Sequence, residues 1–226
     1  MLKACTLFKR KSGMEVAAFQ EYWRTSHADV VRGLPNIRRY VQSHPLPGGY
    51  RKGELTYDGV AEIWVDDTDA LRQMAAAPAY RAVREDEEKF IDRASMALIL
   101  TDEHIIKDGA IPAGGGLKNI EFVTRKAGMA VADFKAYWRG THGPITARIA
   151  TIRRYVQSHT KASGYAREPQ PAWDGLAITW FDDIAAMRES AKTQAFADTM
   201  ADEPNFLAAG PVATIITKEH IIVDDG

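Results

Sequence analysis

The sequence predicts an α+β fold in which one β-α-β-β-α-β unit of roughly 110 residues occurs twice. Four matches lead there. RRYVQSH stands at Arg38–His44 and again at Arg153–His159. FQEYWRTSH (19–27) matches FKAYWRGTH (134–142), and YDGVAEIWVDD (57–67) matches WDGLAITWFDD (173–183). TDEHIIKDG (101–109) matches TKEHIIVDDG (217–226), and the offset between copies shifts by a single residue over the whole length. Residues 1–109 are therefore read as the first repeat and 117–226 as the second. Between them 110–116 is a linker, within a stretch rich in Gly and Ala with one Pro.

Within the first repeat, LKACTLFKR (2–10) reads as a strand, with LKNIEFVTR (117–125) as its twin. Residues 15–32 read as a helix, because Val16, Phe19, Trp23, His27 and Val30 recur at spacings of three and four and share one face. NIRRYVQSH (36–44) is rich in β-formers and alternates, so Arg38, Tyr40, Gln42 and His44 are placed on one face of a second strand. YDGVAEIWV (57–65) reads as a third strand, ended by two aspartates. A helix follows from about Thr68 through the 80s, interrupted by Pro78. ASMALILTDEHII (94–106) closes the unit as a strand with a bend expected at TDE. This order is the ferredoxin-like split βαβ arrangement, with two helices on one face of a four-stranded sheet. The other face must also be covered, and the second repeat could cover it sheet to sheet, giving an intrachain pseudo-dimer.

Composition narrows the function. The chain has 226 residues, 46% hydrophobic and 26% charged, an ordinary globular balance. A formal net charge of −1 gives no electrostatic case for nucleic acid or an anionic membrane surface. No apolar run approaches a membrane span, and the first residues lack the apolar core of a signal peptide. Cys5 is the only cysteine, so no internal disulfide forms. A cytoplasmic protein is expected. No HxH, HxxxH or HExxH spacing points to a metal, and AGGG (113–116) follows no strand and opens no helix, so it is no phosphate cradle.

The pattern F-x2-Y-W-x3-H, then RRY on a strand, then DG-x2-E-x-W and DD, resembles the EthD family of the dimeric α/β-barrel superfamily. The resemblance covers most of both halves. It implies an intrachain dimeric α/β barrel, a pocket between helices and sheet, and chemistry that commonly uses no cofactor or metal. It carries a helix histidine onto His27 and His142, a strand tyrosine onto Tyr40 and Tyr155, and an aspartate onto Asp58 and Asp174. The acidic residue four positions later is Glu62, but Ile178 stands at that place in the second half, which puts the second site in doubt.

These residues make His27, Tyr40, Asp58 and Glu62 the candidate catalytic set. A histidine on an apolar helix face can be tuned toward neutral pH and act in proton transfer, or it can be a satisfied core histidine. Tyr40 can donate to a developing enolate, with Arg38 beside it, or belong to a polar network between repeats. Asp58 and Glu62 are read as orienting His27 or acting as a partner base, the alternative for Asp58 being a salt bridge to Arg38 or Arg39. Trp23, Arg38, His44, Trp64, His142, Tyr155 and Asp174 are expected to line substrate. His104 and His220 are read as surface or inter-repeat contacts.

Two functions compete. One is a cofactor-independent isomerase, cyclase or dehydratase acting on a small hydrophobic oxygenated metabolite such as an unsaturated lactone, a phenolic or a polyketide-like compound. The other is a non-catalytic binding or accessory protein for a hydrophobic metabolite or haem. The sequence leaves open whether two chains associate further.

Overall fold

The computed structural model describes residues 1–166 and 168–225, with the backbone alone for Ala113. Both repeats have the β-α-β-β-α-β order. In the first, β1 (Leu2–Arg10) is followed by α1 (Val16–Tyr22), which runs through a π-helical turn (Trp23–His27) into α2 (Ala28–Arg32). The wider i→i+5 turn keeps Phe19, Trp23, His27 and Val31, each four residues apart, buried together. The buried end of this face is Val31 rather than the expected Val30, because an α-helical period does not hold through a π turn.

β2 (Arg39–Pro45) and β1 both pair antiparallel with β3 (Gly59–Val65), so β3 is central. Gly59 opens β3 because nothing larger fits: a Cβ there would lie 2.6 Å from the Trp23 ring. The two aspartates after β3 have separate jobs. Asp67 caps α3 (Thr68–Ala76) by accepting from the backbone of Asp69 and Ala70, while Asp66 holds Arg38 at 2.7 Å. Pro78 starts a new helix, α4 (Pro78–Phe90), from an extended Ala77, and occupies a first-turn position where its missing N–H is harmless. β4 (Ile91–Lys107) then runs unbroken through the segment expected to bend.

The second repeat follows the same plan. Its elements are β5 (Leu117–Val123), α5 (Val131–Tyr137), a π turn (Trp138–His142), α6 (Gly143–Ala147), β6 (Arg154–Thr160), β7 (Gly175–Phe181), α7 (Ile184–Ser190), α8 (Gln194–Asp202) and β8 (Ala213–Asp224). β7 is central here, between β5 and β6. Gly175 repeats the role of Gly59 against Trp138.

The chain forms two compact units: Met1–Leu100 with the residues from Lys218 onward, and Thr101–Thr217. β4 and β8 therefore each begin in one unit and end in the other. The strands hydrogen-bond in the order β1-β3-β2-β8-β5-β7-β6-β4, a closed antiparallel barrel in its topology. In the first unit the helices cover one sheet face, and Phe8, Tyr40, Ala61 and Val65 pack against Phe19, Trp23, Val31, Met74, Val83 and Phe90. Each of the larger apolar side chains among them contributes about 1.5–3 kcal/mol by leaving water. Among the described residues, no helix is long and apolar enough to cross a membrane.

Candidate active site

Each unit builds the same polar spine between its helices and its sheet. In the first, Trp23 Nε1 donates to the Tyr40 hydroxyl at 3.1 Å. Gln42 Nε2 donates to that hydroxyl at 3.0 Å and to the Trp23 carbonyl at 2.8 Å. This fixes the Gln42 amide, so its Oε1 accepts from His44 Nε2 at 3.0 Å. The His44 ring stacks on Trp23 with centroids 4.2 Å apart and meets His220 edge-on at 4.6 Å. Burial, with smaller contributions from His220 and Arg24, lowers the His44 pKa to about 3, so the ring is neutral. With both hydroxyl lone pairs of Tyr40 engaged, its O–H is left to donate. Burial raises the pKa of this phenol, which therefore keeps its proton.

His27 is buried beside this spine. Its Nδ1 lies 2.8 Å from Asp86 Oδ2, and Asp86 Oδ1 also accepts from Tyr22 (2.7 Å) and Lys89 (3.0 Å). A carboxylate only accepts, so Nδ1 carries the proton and Nε2 is the free lone pair of a neutral ring. Burial lowers the His27 pKa and outweighs the opposing pull of Asp86.

The second unit repeats these contacts with Trp138, Tyr155, Gln157, His159, His142 and Asp202. His142 Nδ1 is 2.9 Å from Asp202, which Tyr137 and Asn205 also hold. Here Nε2 has a partner, the Thr146 hydroxyl at 3.1 Å. Burial lowers the His142 pKa as it does that of His27. A cavity of about 280 Å³ opens on this site, lined by His142, Thr146, Tyr155, Trp138 and a mainly apolar wall including Phe196 and Phe206. Glu121 and Glu203 also line it. Asn119 donates to Glu121 at 3.0 Å and accepts from Thr214 at 2.8 Å.

The structure brings His27, Tyr40, Trp23 and His44 together, and likewise His142 and Tyr155. It separates the remaining candidates. The carboxylate that orients His27 is Asp86, not Asp58 or Glu62. Glu62 alternates to the opposite sheet face from Tyr40, where it pairs with Lys3 at 2.6 Å and accepts from Ser43 at 3.2 Å. Trp64 shares that face, 4.8 Å from Lys3 Nζ. Asp58 precedes β3 and is fully enclosed by the Arg10 backbone N–H (2.9 Å), the Arg10 guanidinium (2.8 Å) and Tyr50 (2.8 Å). Its ion pair is with Arg10 rather than Arg38 or Arg39, and its bonds fasten the start of β3 to the end of β1. Asp174 makes the matching set with Arg125 and Tyr165. Arg38 lies before β2, half exposed on Asp66, so it does not share the Tyr40 face. His104 meets His159 edge-on at 4.6 Å.

Asp86, Asp202, Thr146, Glu121 and Glu203 escaped the sequence reading. For the first two a signal existed: DE-x2-F recurs as Asp86–Phe90 and Asp202–Phe206. The phenylalanine of each packs on the dyad histidine, with centroids 4.8 Å and 4.6 Å apart.

The EthD domain profile matches the chain twice, over residues 11–94 and 126–210. The protein belongs to the EthD family. A search of curated proteins finds no match. Among solved structures, an anthrone oxidase-like protein matches with TM-score 0.64 at 10% identity, covering 100% of this chain and 94% of its own. A candidate monooxygenase from Fusobacterium nucleatum subsp. nucleatum matches with TM-score 0.60 at 10% identity, covering 98% and 92%. One from Lactobacillus acidophilus NCFM gives 0.57 at 11%, covering 99% and 95%. These likenesses are to the fold of this EthD protein. Among the described residues, no group of three or more His, Cys, Asp or Glu side chains could hold a metal ion.

Proposed function

We propose that this EthD protein is an acid–base enzyme that removes a proton from carbon next to a carbonyl in a small apolar, oxygenated metabolite, leading to isomerisation, cyclisation or dehydration. One observation carries the reading: the second unit's cavity joins a neutral, carboxylate-oriented histidine to a phenol whose O–H is free to donate. His142 Nε2 takes the proton once substrate displaces the Thr146 hydroxyl. Asp202 stabilises the imidazolium that results, and Tyr155 donates to the oxygen that gains charge. His27 and Tyr40 hold the matching arrangement in the first unit. Such a base also suits the first step of an anthrone oxidation, since anthrone is an apolar ketone with an acidified C–H.

The test is ligand-induced thermal stabilisation with unsaturated lactones, phenolics, polyketide-like acids and anthrone, on wild type, His27→Ala and His142→Ala. A ligand at 100 times its dissociation constant stabilises by about 2.7 kcal/mol. A compound that shifts wild type and His27→Ala but not His142→Ala supports the second-unit site. Its deuterium exchange in D2O should then fall by about 10²–10⁴-fold in His142→Ala. Binding without exchange in any variant would leave the accessory-protein reading in its place.

A further inference from the structure

The carboxylates that orient the two histidines sit in matching segments, DEEKF at 86–90 and DEPNF at 202–206. Asp86 and Asp202 each give Oδ2 to the histidine, and Oδ1 accepts from two other donors. One donor is common to both units, a tyrosine hydroxyl at 2.7 Å. The other is not. On Asp86 it is the Lys89 ammonium at 3.0 Å, and on Asp202 it is the Asn205 amide, also at 3.0 Å. The same oxygen is met at the same distance, by a cation in one unit and by a neutral group in the other.

Charge is therefore what changes here. An imidazolium at His27 shares its carboxylate with an ammonium, whereas one at His142 faces a carboxylate whose other donors are uncharged. The remaining charged and titratable groups around each ring extend the contrast. Around His27 stand Tyr22, Tyr40 and Glu87, which Arg84 holds at 2.8 Å, with Arg32 on α2 paired to Asp29. Around His142 stand Tyr137, Tyr155, Glu121 and Glu203, with Arg148 paired to Asp198. Met200 occupies the place of Arg84, and among the described residues no Lys or Arg lines the cavity. The Thr146 hydroxyl can donate to a neutral Nε2 or accept from a protonated one, so it serves both states of the ring. Burial lowers the pKa of both histidines and the carboxylate opposes it, so the strength of the carboxylate decides how good a base remains.

We infer that Asn205 is a positioning residue for base strength: it holds Asp202 without adding a charge, leaves the full carboxylate pull to His142, and makes that histidine the stronger base of the two. The consequence for catalysis rests on the proposed role of His142; the effect on the imidazole does not.

The experiment uses the full chain labelled with 15N-histidine, with His27 and His142 assigned through their glutamine variants. The variants tested are Asn205→Lys, Asn205→Ser, Lys89→Gln and Lys89→Arg. Positions 89 and 205 are exposed, so the fold tolerates these changes. Two readouts are taken: the Nδ1–H resonance at pH 7, whose downfield position follows the pull of the carboxylate, and the pKa from 15N titration. Solvent screens an exposed ammonium, so Asn205→Lys should lower the His142 pKa by only about 0.5 to 1 and move its Nδ1–H upfield. Lys89→Gln should move both His27 readouts the opposite way by a similar amount. Asn205→Ser and Lys89→Arg change the donor but not the charge, and should stay within about 0.2 of wild type. An Nδ1–H resonance unmoved by Asn205→Lys would overturn the inference, as would an equal displacement by Asn205→Ser. With a ketone that exchanges its α-proton in wild type, Asn205→Lys should also slow deuterium exchange about threefold, as Brønsted behaviour requires of a weaker base. Imidazole readouts that move while exchange does not would uphold the tuning by Asn205 and sink His142 as the base.

Discussion

The two units have the same spine and different surroundings. Trp23, Tyr40, Gln42, His44, His27 and Asp86 superimpose in role on Trp138, Tyr155, Gln157, His159, His142 and Asp202, down to hydrogen-bond partners. Around it, the first unit places Val31, Met74, Val83 and Ile63 in or against a packed apolar cluster. The second places Thr146, Ser190, Thr199 and Thr179 at the matching positions, and all four line its cavity. Shorter and more polar side chains at a handful of sites leave room for a ligand while the buried network stays intact. The lesson is that chemistry and access are set by different residues. Ile178 is one example: the loss of a carboxylate there leaves the dyad unchanged, because Glu62 belongs to the other sheet face.

The largest expected effect concerns that carboxylate. Glu62→Ala removes a carboxylate held against the buried Lys3 and should cost up to about 3–5 kcal/mol in denaturant unfolding. Pairing Lys3→Met with Glu62→Ile should recover most of it. An equal loss in the double variant would mean that this face of the first unit needs its polar groups, as the second unit keeps Lys118 there.

Next in size is the conversion of one lining into the other. Ser190→Met with Thr199→Val gives the second unit the side chains of the first, and should abolish the roughly 2.7 kcal/mol ligand stabilisation at 100 times the dissociation constant. Retained binding would show that access is governed elsewhere.

A pH titration compares what the units share. His44 and His159 have pKa values lowered to about 3, chiefly by burial. The unfolded chain binds protons at these histidines below about pH 6.5 while the native chain does not until about pH 3. Their contribution is therefore fully present above pH 6.5 and declines as pH falls toward 3, by about 1.4 kcal/mol per histidine for each pH unit. Replacing either with Gln should flatten the pH dependence of the unfolding midpoint by a similar amount; unequal slopes would mean that the two spines are not equivalent.

The smallest effect isolates one hydrogen bond. Thr146→Val installs the first unit's residue beside His142 and should change stability by only about 1 kcal/mol. If activity rises, the hydroxyl competes with substrate for Nε2; a fall would make it a positioning group.

By itself, the sequence determined the duplication and the order of strands and helices. Period, parity and repetition are local properties, legible along a chain. His27 is readable as buried because its four-residue spacing from Trp23 and Phe19 survives the π turn, although the register beyond it moves from Val30 to Val31. What only the tertiary structure decided is which carboxylate meets which histidine. Asp86 lies 59 residues from His27 and reaches it only because α4 packs across the π turn. Glu62 looked closer along the strand order, yet one step of strand parity sends it to the other face. The exchange of strand ends between the units, and the combination of Glu121 from β5 with Glu203 at the end of α8, likewise depend on contacts between segments far apart in the chain. No spacing rule encodes them, because burial and like-charge proximity arise only after the sheet and helices have closed on one another.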